Sequence, residues 1–308
     1  MNLTKGSFAY IDAHQGIPYY EQTPEEARAE RAASPIHQVS VGGISKIEDR
    51  LITVSDGAQI SVRIYTPEGN GPFPIIVYYH GGGWVFGNPD YADGGCRYLT
   101  ASAHSIVISV DYRLAPEFPF PIPVQDSYDA FLWAVENAST LHGNASKMYV
   151  AGDSAGGNIA AVVSQWSVAK NGPKIAGQAL IYPVTNTNFN TSSYEKFGKG
   201  YGLDRDGMIW FTKQYIGDSN ESINPSVSPL LAEDFQSLPR TILIAAEYDV
   251  LLDEGIAYIT RLRECGVEAK HILMPGLIHS YFSKMEFFEE DTKKTTEWIA
   301  DFFGTKKS

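Results

Sequence analysis

A serine in a glycine-rich turn is the first candidate for covalent chemistry. The motif Gly-Asp-Ser-Ala-Gly-Gly occupies residues 152–157, with Ser154 at its centre, between a strand-like run and a helical pattern. So tight a turn crowds the serine backbone, needs very small neighbours, and places the serine oxygen at a helix amino terminus, which favours negative charge. Such short motifs also occur by chance, and a glycine-rich turn capped by a serine is the alternative. The context predicts that Ser154 is a nucleophile.

A second glycine-rich segment could stabilise the negative charge that such an attack creates. His-Gly-Gly-Gly-Trp occupies residues 80–84, at the end of another strand-like run. An attacked ester carbonyl becomes an oxyanion, and glycines let backbone N–H groups approach it closely. A phosphate-binding loop is the competing interpretation, but the Lys-Ser/Thr pair and the dinucleotide fingerprint are absent from the sequence. We expect the amides of Gly82, Gly83 and Ala155 to form an oxyanion hole, with His80 bracing the loop.

A serine hydroxyl needs a base to remove its proton, and histidine has a suitable pKa. Seven histidines are present. Apart from the loop histidine above, five are expected to be structural or exposed: His14 and His37 in the polar N-terminal segment, His104 and His142 near helix ends, and His271 inside a strand pattern. His279 differs, because it lies in a loop between the strand-like run Lys270–Met274 and the last helical pattern. We therefore expect His279 to be the general base.

An acidic residue should orient that histidine. Asp249 follows the apolar strand-like run Thr241–Ala246, so it and His279 both stand at carboxyl ends of strands, where open α/β sheets place their sites. The chain order Ser, Asp, His also fits the hydrolase pattern. Asp253 and Glu247 are nearby alternatives, and each could equally be a solvated loop charge.

The elements around these residues alternate between strand and helix. Two runs split by the turn signal Asp56-Gly57 predict an antiparallel edge, and the later runs alternate in type. Strand-like runs are Arg50–Val54, Gln59–Tyr65, Pro74–His80, Ser105–Tyr112, Lys147–Ala151, Ile175–Ile181, Thr241–Ala246 and Lys270–Met274; helical ones are Tyr91–His104, Val124–Asn137, Ile159–Ala169, Glu254–Cys265 and Met285–Phe303. This order predicts an α/β fold with a mostly parallel central sheet flanked by helices on both faces.

Residues 185–229 interrupt this alternation with aromatics set among glycines and asparagines. Such an insertion between core strands could be a lid, and surface helices that pack their aromatics inward are the alternative. The first 45 residues read as polar helices, one of them starting at Thr23-Pro24 with Glu26 in the capping-box position and ending at Pro35. We predict four segments: an N-terminal helical part of a cap (1–45), a first core part (46–184), a cap insertion (185–229) and a second core part (230–308).

The composition of the chain limits the kinds of partner that it can bind. The 308 residues carry a net charge of −12, from 24 basic and 36 acidic side chains, and an acidic surface repels nucleic acids and anionic membranes. No run reaches the ~18 apolar residues that a membrane span needs, and no apolar leader is evident at the start. The two cysteines, Cys96 and Cys265, form no metal-binding pattern. We expect a cytoplasmic protein that binds neither nucleic acid nor membrane.

Taken jointly, the motifs resemble those of the hormone-sensitive-lipase-like bacterial carboxylesterases, in their GDSAG branch. The resemblance runs from about Tyr65 to the C-terminus and includes residues 80–84, 111–117 (Asp-Tyr-Arg-Leu-Ala-Pro-Glu), 152–157 and 247–249, with the loop of the last histidine. It implies the α/β-hydrolase fold with a helical cap, with Ser154 as the nucleophile, His279 as the base and Asp249 as its partner, without metal or cofactor. Family members often have proline after the aspartate and glycine after the histidine, where Val250 and Ser280 stand here, which leaves the substrate fit open.

The resemblance also implies a substrate class and a pocket. We expect short- to medium-chain carboxylic esters, a cap that shapes the acyl pocket, and a possible homodimer, since the strand Lys270–Met274 lies near the expected sheet edge. The alternatives are an amidase or deacetylase with the same triad, a long-chain lipase, and a non-catalytic receptor for a small ligand on the same fold. Pocket candidates are Trp84, Tyr182, Phe189, Tyr201, Trp210 and Phe211.

Overall fold

The computed structural model describes residues 2–33 and 36–306, and the strands of these residues form one eight-stranded sheet. Its spatial order is β1-β2-β4-β3-β5-β6-β7-β8. The first two pairings, β1 with β2 and β2 with β4, are antiparallel, and the others are parallel. The strands are β1 Ile44–Thr53, β2 Gln59–Pro67, β3 Phe73–Tyr79, β4 Ile106–Asp111, β5 Gly143–Asp153, β6 Gly177–Ile181, β7 Thr241–Tyr248 and β8 Ala269–Ile278. The predicted mostly parallel sheet with an antiparallel edge is confirmed.

Helices cover both faces of this sheet. Strand β3 shows why: Ile75 and Val77 belong to one buried cluster, and Ile76 and Tyr78 belong to another on the opposite face. The first cluster includes side chains of α4, α5 and α8, and the second includes those of α3 and α9. The helices are α1 Lys5–Ala13, α2 Pro24–Ala33, α3 Pro89–Ala103, α4 Ile122–Glu136, α5 Ala155–Ala169, α6 Ser192–Phe197, α7 Arg205–Ile216, α8 Leu252–Glu264 and α9 Met285–Phe303. A strand buried on both faces reads as a continuous apolar run, as β3 does.

The N-terminal segment lies against the core rather than apart from it. The capping box at the start of α2 is present, since the Glu26 amide donates to Thr23 Oγ1 at 3.2 Å and the Thr23 amide donates to Glu26 Oε2 at 2.9 Å. From α2, Arg28 donates to the carbonyl oxygen of Val85 at 2.9 Å and pairs with Glu117 at 2.6 Å. The helix is described as far as Ala33, and Pro35, its expected end, lies outside the described residues.

The aromatic segment 185–229 folds as helices. It contains α6, α7, a short 3-10 helix at Glu221–Ile223 and the start of another at Pro229–Leu231, and no strand is assigned within it. Many of its aromatic side chains point inward, as with Tyr194 and Tyr215, which are both fully buried. Within residues 2–33 and 36–306, none of the helices combines the length and apolarity needed to cross a bilayer.

Candidate active site

Ser154 occupies the turn between β5 and α5 in a conformation that is unusual for a residue with a side chain. Its φ is 55° and its ψ is −118°, and such strain persists only where the surroundings enforce it. The glycines on either side permit the turn, because a Cβ at Gly152 would overlap the carbonyl of Gly156, and one at Gly156 would overlap the carbonyl of Tyr79. The side chain of Ser154 therefore projects above the carboxyl end of the sheet, which is the geometry of a nucleophile elbow.

The structure brings Ser154, His279 and Asp249 together in one hydrogen-bonded chain. Ser154 Oγ lies 2.8 Å from His279 Nε2, and His279 Nδ1 lies 2.7 Å from Asp249 Oδ2. With its proton on Nδ1, the imidazole donates to Asp249 and accepts the serine proton on Nε2. All three side chains are buried. Each directly follows a strand, because β5, β7 and β8 end at residues 153, 248 and 278.

The two alternative acids have other partners. Asp253 accepts from the Ser193 amide at 2.7 Å, and Glu247 accepts from the Gly276 amide at 2.7 Å. The second contact also shows that the expected loop before His279 is not a loop. Strand β8 continues to Ile278 through a register shift, and Gly276 supplies the positive φ of 73° that this irregularity requires. The bulge sets the position at which His279 leaves the sheet.

The remaining histidines lie apart from this chain. His80 is fully buried, its Nδ1 lies 2.8 Å from the Gly81 carbonyl oxygen, and burial lowers its pKa to about 4. Its ring stacks on Tyr112 at 4.3 Å, so it packs within the loop as expected of a bracing residue. His104 and His142 follow α3 and a short 3-10 helix in left-handed conformation, His14 follows α1, His37 is exposed, and His271 lies in β8.

The glycine loop after β3 lies beside Ser154 and is tied to it through Asp153. The buried carboxylate of Asp153 accepts from the Gly81 amide at 2.8 Å and from the Tyr78 hydroxyl at 2.6 Å, both at Oδ1. Burial raises its pKa above the ordinary value, and these hydrogen bonds oppose the rise. This role of Asp153 was not predicted from the sequence, although its position directly before the serine was a usable signal. The carboxyl group therefore fixes the start of the glycine loop against the elbow.

A narrow cavity of about 40 Å³ opens onto Ser154 and His279. Gly82 and Gly83 line it with Asp153, and its remaining lining side chains come from three separate parts of the chain. These are Tyr10, Tyr19 and Arg31 from the N-terminal segment, Leu203, Met208 and Phe211 around α7, and Tyr91, Ser280 and Lys284 from the core. A larger cleft of about 550 Å³, between Pro116 and the end of α7, is lined by neither Ser154 nor His279, so the chemistry belongs to the smaller cavity.

Of the six aromatic pocket candidates, Phe211 lines the cavity and the other five do not. Trp84 is fully buried and stacks on Tyr215 at 4.3 Å, because its positive φ of 62° turns the side chain into the core. The other four pack nearby: Tyr182 against His279, Phe189 against Tyr194, Tyr201 against Tyr248, and Trp210 against Phe86. Apart from Phe211, the aromatics of the insertion thus pack within that segment or against the core.

Among the described residues, no group of three or more histidine, cysteine, aspartate or glutamate side chains is arranged to hold a metal ion. The chemistry available to the site is that of the hydrogen-bonded chain, the neighbouring amides and the cavity walls. A serine hydrogen-bonded to a histidine, beside a glycine-rich loop, suits acyl transfer through a covalent intermediate.

Comparisons with known proteins agree with this geometry. A family model described as the alpha/beta hydrolase fold matches residues 76–283. The carboxylic ester hydrolase LipN of Mycobacterium tuberculosis is 39% identical over 248 residues, which span 79% of this chain and 66% of that protein. The arylesterase of Saccharolobus solfataricus is 34% identical over 261 residues, covering 84% of this chain and 85% of that one.

Solved structures extend the likeness over nearly the whole chain. A thermostable esterase from Pseudomonas putida superposes with a TM-score of 0.90 at 29% identity, and a hyperthermophilic esterase from the archaeon Pyrobaculum calidifontis with 0.87 at 33% identity. In both comparisons, 98% of each chain is covered. The chain therefore belongs to the α/β-hydrolase family and, within it, to the hormone-sensitive-lipase-like carboxylesterases.

Proposed function

We propose that this protein hydrolyses short- to medium-chain carboxylic esters, with Ser154 as nucleophile, His279 as general base and Asp249 as its orienting partner. The observation that carries the proposal is the buried chain of hydrogen bonds of 2.8 and 2.7 Å that joins these three residues. Ser154 Oγ attacks the ester carbonyl while His279 takes its proton, and His279 then protonates the departing alcohol. Water, activated by the same histidine, releases the acid from the acyl-enzyme.

The oxyanion that forms in each step needs donors already in place. We assign this role to the amides of Gly82, Gly83 and Ala155. Within the described residues, the Gly82 and Gly83 amides donate no hydrogen bond, and Ala155 opens α5, where amides lack partners in the helix. Gly82 has a φ of 120°, and a Cβ there would overlap the carbonyl of Phe86, so only glycine fits this approach. Removing one such donor typically costs about 10²–10³ in turnover.

The preference for shorter acyl chains rests on the cavity. Its small volume and its wall of Leu203, Met208 and Phe211 suit a short apolar group. We propose that residues 1–45 and 185–229 together form the cap over it. In support, Tyr19 from the first segment packs against Phe211 and Trp210 of α7, with ring centroids 4.9 and 5.7 Å apart.

Three further proposals concern the oligomeric state, the family branch and the location of the enzyme. Strand β8 is an edge of the sheet, and Leu273 on it is 43% exposed, so we propose a homodimer that pairs two such edges. A monomer in size-exclusion chromatography with light scattering at micromolar concentration would overturn it. We also assign the chain to the GDSAG branch on residues 152–156. A cytoplasmic location accords with Cys96 and Cys265, which are both unbridged thiols.

The test compares wild type with Ser154→Ala on p-nitrophenyl esters from acetate to palmitate. We expect activity that is highest on the short chains and is lost in the variant, because an alanine methyl group cannot form an acyl-enzyme. Unchanged circular dichroism and melting temperature would show that the variant is folded. A folded wild type that cleaves no ester but cleaves the matching p-nitroanilides would replace the proposal with an amidase, and inactivity on both would favour a receptor.

A further inference from the structure

The cavity beside Ser154 has two chemically different sides. Leu203, Met208 and Phe211 form an apolar wall, whereas Arg31 from α2 and Lys284 from the turn before α9 both line it as well. These two cations come from segments about 250 residues apart, and no motif of the sequence joins them. An esterase for purely neutral substrates has no need of either charge in this position.

Neither cation is neutralised by a carboxylate among the described residues. Within residues 2–33 and 36–306, no carboxylate oxygen lies within 4.0 Å of a side-chain nitrogen of Arg31 or Lys284. Each is instead held over an aromatic ring: the Arg31 guanidinium lies 4.3 Å from the ring centroid of Phe86, and the Lys284 ammonium lies 5.0 Å from that of Tyr91. Such contacts orient a cation without cancelling its charge.

The acidic groups around the cavity accept hydrogen bonds from neutral donors and form no ion pair with either cation. Asp153, the carboxylate that lines it, is buried and accepts from Tyr78 and Gly81. Asp204, which follows Leu203 of the cavity wall, accepts hydrogen bonds from the Tyr20 hydroxyl and the Gly200 amide. The whole chain has a net charge of −12, so two positive side chains without a carboxylate partner at one cavity differ from the acidic average of the protein.

Tyr91 senses both charges. Burial and, to a smaller extent, the charge of Asp153 raise the pKa of its phenol, but the charges of Lys284 and Arg31, together with a hydrogen bond from Ser283, bring it below its usual value. The two cations thus act on the same region of the cavity. An anionic group of a substrate placed there would be stabilised by both charges.

We propose that this cavity selects esters that carry a free carboxylate, with the carboxylate placed between Arg31 and Lys284 while the ester carbonyl meets Ser154. This inference rests on the proposed function and names its substrate class. Half-esters of dicarboxylic acids and acyl esters of hydroxy acids both have this form. Arg31 and Lys284 are specificity-determining residues here, since neither takes part in the bond-making steps.

Two matched substrate pairs test the proposal. In one pair the carboxylate is on the acyl part of the ester, and in the other it is on the alcohol part. Monoethyl glutarate is compared with ethyl pentanoate, and 4-acetoxybutanoate with butyl acetate, because in each pair a carboxylate replaces a methyl group. We expect the charged member of at least one pair to have a kcat/KM about tenfold higher at low salt, and we expect this preference to shrink toward one at about 1 M salt, where screening acts within ~3 Å.

Variants locate the effect. Arg31→Gln with Lys284→Met should lower the charged-to-neutral ratio of kcat/KM about tenfold, and unchanged circular dichroism and melting temperature would show that the double variant is folded. Lys294→Met is the matched control, because Lys294 is exposed and lies 4.9 Å over the ring of Trp298, away from the cavity. The control should keep the wild-type ratio.

The outcomes separate the two proposals. A wild type that cleaves the neutral esters but shows no preference for either charged one overturns the carboxylate proposal and leaves the esterase intact. A preference that survives in the double variant overturns the assignment to Arg31 and Lys284. Failure to cleave any of the four esters counts against the esterase itself, and the anilide series then decides its replacement.

Discussion

Glu254 should make this protein less stable as the pH rises, and Glu254→Gln should remove that effect. The side chain lies on α8 and is 1% exposed. Its Oε1 accepts from the amides of Thr185 and Asn186 at 2.7 and 3.1 Å, which fixes the start of the segment 185–229. Its Oε2 is buried without a hydrogen-bond partner among the described residues. Burial, with a smaller contribution from the charge of Asp249, raises the pKa of this carboxyl to about 8, against the two backbone hydrogen bonds and the nearby Tyr194 hydroxyl, which lower it.

The direction of this pH effect follows from the pKa of Glu254 in the unfolded and folded chain. The unfolded chain loses the Glu254 proton near its ordinary pKa of 4.5, whereas the folded chain keeps it until about pH 8. Between these values the unfolded state binds fewer protons, so the free energy of unfolding falls as pH rises. The slope is about 1.4 kcal/mol per pH unit for one proton, which gives a penalty on the order of a few kcal/mol at pH 8. Glutamine keeps the Oε1 acceptor and has no charge to bury.

The assay is the melting temperature of wild type and Glu254→Gln at pH 5, 6.5 and 8. We expect near equality at pH 5 and an advantage of several degrees for the variant at pH 8, since about 1 kcal/mol shifts the midpoint of a chain this long by ~2 °C. Glu264→Gln, an exposed position on the same helix, is the control and should show no such trend. A Glu254→Gln advantage that is the same at all three pH values would refute the reasoning.

Two further substitutions test how the glycine loop is built. Gly83→Ala should lower kcat/KM on p-nitrophenyl butyrate by about 10² or more, because φ is 61° there and the new Cβ would overlap the Phe211 ring in the cavity wall; wild-type kinetics would contradict this. Trp84→Ala should lower the free energy of unfolding in urea by about 3–5 kcal/mol, because Trp84 packs on Tyr215 in the core. It should leave the order of activity on different acyl chain lengths unchanged; a changed order would show that Trp84 contacts the substrate.

The sequence predicted site residues best where a residue type suited to the chemistry directly follows a predicted strand. Asp249 and His279 stand directly after β7 and β8, and parallel strands bring their carboxyl ends to a common edge, so apolar runs alone predicted their approach. The detail before His279 was not predictable in the same way. Strand β8 runs four residues beyond the expected Met274, because Glu247 and Gly276 hold an irregular segment in the sheet through a contact between separate strands.

Side-chain direction limited the prediction of the cavity. Trp84 adjoins the glycine loop in sequence, yet its left-handed backbone conformation sends the indole into the core. Conversely, Arg31 and Lys284 line the cavity from unrelated segments, and a lone basic residue on a polar helix or turn gives no sign of its destination. Aromatic content in an insertion predicted a cap, but it did not distinguish the ring that lines the cavity, Phe211, from those that pack elsewhere.

Asp153 shows how the two glycine motifs operate as one unit. It is covalently bonded to Ser154, and its carboxylate accepts the amide of Gly81 at 2.8 Å, one residue before the proposed donors. A Cβ at Gly81 would overlap that carboxyl group, so the glycine is needed for the contact as much as for loop geometry. The distance between the nucleophile and the donors is therefore set by one short bridge rather than by the packing of two independent loops. A site that must hold its donors to within about 0.5 Å gains most from such a local constraint.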